Sequence, residues 1–193
     1  LMLARDFFGI KPVYYAEIDG HFVFASEIKS ILAFPGYERK VNQKALEQYL
    51  SFQYSPLEET FFKGIYKLMP GHMLLYKNGS YEIKTYFKPK LTPGQWDHKT
   101  NMAQLRSQLS EILKDSVKHH MLSDVEVGAF LSGGVDSGYL ASSAGADQAF
   151  TVGFDEGDRY SEVNKAAKVA EKAGLKHHVK IISKQEFWDA LPD

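Results

Sequence analysis

The chain contains no cysteine. Disulfides, thiolate metal ligands and a cysteine nucleophile are therefore excluded within these residues. No apolar run approaches the roughly 20 residues that a bilayer-spanning helix needs. The opening Leu1-Met2-Leu3-Ala4, followed by Arg5-Asp6, lacks the basic-then-apolar pattern of a secretion leader, so the cytoplasm is the expected compartment. Charge of one sign is also missing. Lys and Arg number 23 against 24 Asp and Glu, a net charge of −1. Without a basic excess, neither nucleic acid nor an acidic membrane is an expected main partner. No internal repeat or low-complexity segment is present. What remains is a globular composition, 44% hydrophobic and 24% charged, in 193 residues. That length suits one large domain or two small ones. Both ends read as cuts, with a strand under way at Leu1–Ala4 and a helix just begun before Leu191. The expectation is an internal piece with two partial domains, α+β then α/β.

Residues 1 to about 87 carry antiparallel signals. Val13 to Ile18 and His21 to Ala25 are β-rich runs joined by Asp19-Gly20, a pair suited to a type I′ turn. Ser26 stands where an N-cap would precede a short helix over Glu27 to Leu32. Asn42 is placed to cap a second helix to about Phe52, with Leu46, Tyr49 and Leu50 on one face. Another hairpin follows, His72 to Tyr76 and Tyr81 to Phe87 around Asn78-Gly79. Pro89, Pro93 and Gly94 mark Lys88 to Asp97 as a linker, dividing the chain into domains 1–95 and 96–193.

Beyond it, Met102, Leu105, Leu109, Ile112, Leu113 and Val117 recur at helical spacing to about His120. The pattern then alternates between types. Val125 to Leu131, Phe150 to Phe154 and His177 to Ile182 read as strands. Gly138 to Ala146 and Ser161 to Lys172 read as helices, the latter with Val163, Ala166, Ala167 and Ala170 on one stripe and closed by Gly174. Strands alternating with helices predict a parallel, Rossmann-like sheet covered by helices.

The first strand meets its helix through Phe130-Leu131-Ser132-Gly133-Gly134-Val135-Asp136-Ser137-Gly138. Ligands of open parallel sheets sit beyond the carboxyl ends of strands, where this loop must lie. Gly133 and Gly134 permit positive φ and close backbone approach. Successive N–H groups and the following helix N-terminus favour an anion, and Ser132 and Ser137 offer hydroxyl donors. No lysine follows the glycines, so this is not a Walker loop. Asp136 would repel phosphate unless a cation intervened, which points to Mg²⁺ bridging carboxylate and polyphosphate.

The SGGVDS run of Ser132 to Ser137 resembles the PP-loop of ATP pyrophosphatases. The preceding His119 to Leu131 resembles glutamine-hydrolysing asparagine synthase more narrowly, with Glu126 and Gly138 departing from its usual proline and serine. In the first half, Arg5-Asp6-Phe7-Phe8-Gly9-Ile10-Lys11-Pro12-Val13-Tyr14-Tyr15, Phe24 to Lys29 and Lys67 to His72 resemble the class II glutamine amidotransferase domain of that family. The resemblance implies a ligase that adenylates the β-carboxylate of aspartate and amidates it with glutamine-derived ammonia, with aspartate, glutamine and ATP as its small-molecule substrates. It further implies that Ser132, Gly133, Gly134 and Ser137 hold pyrophosphate, Asp136 holds Mg²⁺, and the backbones of Leu131 and Val152 meet adenosine. Asp6 would pair with the α-ammonium of glutamine, while Arg5 is structural. The family nucleophile is an N-terminal cysteine, so no catalytic residue is assigned and this piece alone is expected to be largely inactive. A homodimer of the full-length protein stays open.

Two rivals stand beside that reading. One is a related enzyme, β-lactam synthetase-like or otherwise, acting on another carboxylate; the other is a non-catalytic nucleotide-binding module. The pairs His119-His120 and His177-His178 suit helix-end and strand-end polar contacts, with His178 a candidate lining residue of the nucleotide pocket. Asp155, Glu156 and Asp158 read as a solvated loop at the ligand-facing end of their strand.

Overall fold

The computed structural model describes residues 1–91, 101–155 and 162–191. It divides into two units, Leu1–Pro93 and Gly94–Asp193.

The first unit runs β1 (Met2–Ala4), β2 (Tyr14–Ile18), β3 (His21–Ala25), α1 (Ile28–Leu32), α2 (Gln43–Phe52), β4 (Ile65–Lys67), β5 (His72–Lys77) and β6 (Ser80–Thr85). Its strands form two antiparallel sheets, ordered β1-β5-β6 and β3-β2-β4. Both tight hairpins are of the expected kind. Asp19 and Gly20 have φ of 48° and 77°, Asn78 and Gly79 have 53° and 79°, and this double positive φ matches the twist of the flanking strands. Alternation along β2 then builds the core. Tyr15 packs with Leu3, Leu68 and Leu74 between the sheets, while Ala16 and Ile18 turn the other way, onto Ile31 and Ile65.

Local details differ from the sequence reading. Glu27, not Ser26, is the N-cap of α1, and neither it nor Asn42 at α2 makes a side-chain cap bond. Leu46, Tyr49 and Leu50 stay exposed, and Ala45 is the buried residue of α2. β4 is too short to show a period and was not foreseen. Of the expected linker, residues 92–97 lie outside the described residues.

The second unit comprises α3 (Met102–His120), β7 (Ala129–Phe130), α4 (Val135–Ser143), β8 (Gln148–Phe154), α5 (Val163–Ala173), β9 (Lys176–Ile182) and α6 (Lys184–Ala190). Its sheet is parallel, in the order β7-β8-β9. Asn101 caps α3 through bonds from Ala103 N (3.0 Å) and Gln104 N (3.3 Å), and Gly174 ends α5 at φ 69°. Ser183 and Glu186 form a capping box on α6. The hydrogen bonds Glu186 accepts from Ser183 and Lys180 hold its carboxyl down at about 2.

The predicted strand Val125 to Leu131 shrinks to Ala129–Phe130, and the helix after the loop begins at Val135 rather than Gly138. The core is made of small residues, with Ala141, Ala149, Ala166 and Ala170 around Leu131, which lets α4 and α5 lie close on the sheet. Ala167 of the expected stripe is exposed, and Ser161 lies outside the described residues. Phe150, Val152 and Phe154 alternate onto the opposite face of β8 and are exposed there, with Phe154 meeting Phe187 of α6 edge-on at 6.5 Å. No described helix is long and apolar enough to cross a membrane.

Ile31 has no exposed surface. Ile31→Ala is expected to cost about 2–5 kcal/mol through lost burial and a residual cavity, read as a lower urea midpoint with an unchanged m-value.

Candidate functional site

The turn from β7 into α4 is held by its own hydroxyls. Ser132 Oγ and Ser137 Oγ lie 2.9 Å apart. Ser137 Oγ accepts from Ser132 N–H at 3.2 Å, and Ser132 Oγ accepts from Gly134 N–H at 3.4 Å. Gly134 is the N-cap of α4 and, lacking a side chain, caps nothing. The first-turn N–H groups of α4 are thus left as donors at the positive end of the helix. Asp136 sits in that first turn, exposed.

The two glycines have different reasons. Gly133 has φ +74°, and a Cβ there would lie 2.6 Å from Lys165 Cβ and 2.9 Å from Ala166 N of α5. Both its conformation and its closeness to α5 require glycine. Gly134 has φ −76°, so the expected positive φ is confined to Gly133. A Cβ on Gly134 would stand 3.4 Å from Ser132 Oγ, beside the hydroxyl pair.

Leu131, at the foot of the loop, is 2% exposed. Its N–H donates to Phe150 O at 2.9 Å, and its carbonyl accepts from the Thr151 hydroxyl at 2.6 Å. Thr151 is itself buried and lies 2.7 Å from His177 Nε2. Thr151 was not singled out from the sequence, and His177 only as one of a pair suited to strand-end polar contacts. Their signal was a polar residue alternating inward on a strand next to the loop. Val152, on the outer face of β8, is half exposed; with Phe130, Phe150, His178 and Lys180 it lines an open groove of about 450 Å³. His178 stacks on Phe150 at 5.0 Å. His119 and His120 meet the carbonyls of Asp115 and Ser116, each at 2.8 Å, at the end of α3. Asp155 is exposed at the end of β8, and Glu156 and Asp158 lie outside the described residues.

In the first unit Arg5 donates to the carbonyls of Leu68 (2.7 Å), Gly9 (2.9 Å) and Lys11 (3.1 Å). Asp6 Oδ1 accepts from Phe8 N–H (3.2 Å) and Ile10 N–H (3.0 Å), and Oδ2 from Lys11 N–H (2.9 Å). These bonds, from Lys11 first and then Ile10, hold its carboxyl below the usual carboxylate range. Asp6 thus ties the 6–11 turn, with one lone pair of Oδ2 engaged.

As a test for divalent metal, no group of three or more His, Asp or Glu is gathered among the described residues. A single carboxylate beside backbone donors fits a Mg²⁺ that takes most of its oxygens from phosphate and water.

Gly133→Ala is expected to destabilise the second unit by about 1–3 kcal/mol through strained backbone, with a further loss from the contact with α5, measured by thermal melting. Asp6→Asn places an amide donor against Lys11 N–H and should lower Tm. Because the native carboxyl is depressed, its stabilisation is present above the ordinary value of 3.8 and lost as pH falls through the native one. The variant should accordingly flatten the acid limb of the stability profile.

Residues 1–87 match the model of the glutamine amidotransferase domain, and residues 108–193 that of asparagine synthase. Asparagine synthetase (glutamine-hydrolyzing) 1 of Bacillus subtilis is 38% identical over 98% of this chain and 30% of its own length. Asparagine synthetase (glutamine-hydrolyzing) 2 of the same organism is 40% identical over 79% of this chain and 22% of its own length. Amidase chyE of Penicillium rubens is 31% identical over 93% of this chain and 29% of its own length. The chain thus spans less than a third of each of these relatives. A solved NH3-dependent NAD synthetase from Campylobacter jejuni is 23% identical over 45% of this chain and 39% of its own, with a TM-score of 0.33, too slight a likeness to carry an argument. Matched in order by the amidotransferase and synthase models and along nearly its whole length by a glutamine-hydrolysing asparagine synthetase, the chain belongs to the asparagine synthetase family.

Proposed function

We propose that residues 96–193 bind the polyphosphate of ATP at the Ser132–Ser137 loop, within a longer protein that makes asparagine from aspartate. The observation that carries this reading is the loop itself, with two hydroxyls 2.9 Å apart facing an uncapped α4 N-terminus. Such an array suits an anion, because the first-turn N–H groups of α4 are free to donate and the two hydroxyls can turn a proton toward a bound oxygen.

The chemistry needs that array. A bare carboxylate resists ammonia, since oxide is a poor leaving group. Attack of the aspartate β-carboxylate on the α-phosphorus of ATP expels pyrophosphate and gives β-aspartyl-AMP. Ammonia then attacks the acyl carbon and AMP departs. Ser132, Gly133, Gly134 and Ser137 would hold pyrophosphate as its charge grows. Asp136 would hold Mg²⁺, which when bound neutralises phosphate charge. The backbones of Leu131 and Val152 would border the adenosine.

Residues 1–95 would belong to the amidotransferase domain that releases ammonia from glutamine. Asp6 would receive the α-ammonium on the lone pairs that the turn leaves free. With no cysteine in the chain, the nucleophile must come from outside these residues, and the chain alone is taken to be largely inactive. A cytoplasmic setting accords with this biosynthetic role. The similarity to Amidase chyE favours a second reading in which the activated carboxylate is not that of aspartate.

Calorimetry of the chain with Mg²⁺ and ATP tests the reading. Binding should disappear with EDTA and weaken about tenfold, or about 1.4 kcal/mol, in Asp136→Ala. A folded chain that binds ATP equally well without Mg²⁺ or without Asp136 would refute the assignment of the metal.

A further inference from the structure

The buried contact of Thr151 with Leu131 and His177 has a consequence for the backbone beside it. Phe150 O accepts from Leu131 N–H on the β7 side, whereas Asp155 N–H donates to Ile182 O on the β9 side. Amides alternate along a strand, so Val152 turns its N–H to the β7 side, like Phe150. A regular parallel ladder would carry that N–H onto Leu131 O. Here the Val152 N–H makes no such bond, and Leu131 O accepts from Thr151 Oγ1 at 2.6 Å instead.

The hydroxyl is oriented in turn. A carbonyl oxygen only accepts, so the Thr151 proton points to Leu131. Thr151 Oγ1 must then accept from His177 Nε2, 2.7 Å away, which fixes the proton on that nitrogen. Neutral imidazole protonated at Nε2 and imidazolium both meet this requirement. The result is a chain of donors running from His177 through Thr151, which is 4% exposed, to the residue before the phosphate loop.

We propose that Thr151 and His177 are positioning residues for the nucleotide base, with the Thr151 hydroxyl replacing the Val152 amide at Leu131 O and so leaving Val152 N–H as a donor to an acceptor nitrogen of adenine. The inference rests on the reading of the loop as an ATP site. It assigns base recognition to a gap in the ladder, created by a side chain that never touches the nucleotide. His177 acts one step further back, by keeping the hydroxyl proton on Leu131.

Thr151→Val keeps the shape and removes the donor, and Thr151→Ser restores it. Two readouts apply to the full 193-residue chain. In amide hydrogen exchange, Val152 should exchange at least about tenfold more slowly in Thr151→Val, because its N–H closes onto Leu131 O. In calorimetry with Mg²⁺, affinity for ATP should fall about fivefold to tenfold, the value of one hydrogen bond, while affinity for inorganic tripolyphosphate holds. Thr151→Ser should return both to wild-type values, and His177→Leu should shift both in the direction of Thr151→Val. Equal losses for ATP and tripolyphosphate would overturn the proposal by showing a general support of the loop. Unchanged Val152 exchange in Thr151→Val would overturn it as well. Failure of the folded wild-type chain to bind either ligand would instead refute the ATP reading beneath it.

Discussion

A backbone N–H or C=O that leaves a ladder must find another partner or face solvent, and both units are organised around places where side chains take that role. In the first unit the turn over residues 6–11 has no regular structure. Arg5 gathers three carbonyls and Asp6 three amides, so one adjacent pair of opposite charge satisfies six backbone groups. Tyr86 Oη adds a bond to Arg5 O at 2.6 Å. In the second unit, Ser132, Ser137 and Thr151 do the same for the two ends of the loop. The difference is functional. The Arg5-Asp6 turn is left with acceptor lone pairs on Asp6, whereas the α4 N-terminus is left with donors.

The packing explains why that opening is stable. Four alanines around Leu131 bring α4 and α5 against the sheet, and Gly133 rests on the α5 backbone at Lys165 and Ala166. The loop is therefore propped on α5 at Gly133 rather than suspended between two elements. Preorganised donors of this kind lose little by reorganising when charge arrives.

Much of this was legible in the residues. The Asp19-Gly20 and Asn78-Gly79 turns, the parallel order of the second sheet and the strand–loop–helix frame all follow from local chemistry that tertiary context did not override. The parts that were not legible are those decided at a distance. Ser26 has the chemistry of a cap but the chain enters α1 one residue later, at Glu27. Leu46, Tyr49 and Leu50 share a helical face, yet period alone does not say whether that face is covered, and it is exposed. The seven-residue run from Val125 yields only two residues of β7, since β8 pairs with it only at Ala129 and Phe130. Thr151 looked like an ordinary β-branched strand residue; its role depends on Leu131 and His177, which lie 20 and 26 residues away in the chain. Asp6 was read as a ligand for an ammonium group, and the three amides it collects could not be counted before the turn was seen.

The two type I′ hairpins have a kinetic meaning. Short hairpins close within about 1–10 μs, so β2–β3 and β5–β6 are available as early intermediates of search. The remaining pairings of the first unit are remote, since β1 must reach β5 and β2 must reach β4. Arg5 spans the same gap, meeting Leu68 O across 63 positions of sequence. Chain-closure entropy therefore falls on the docking of preformed ribbons. The rate at which this unit is acquired is set by how soon its first strand and Arg5 find a surface that is translated some sixty residues after them.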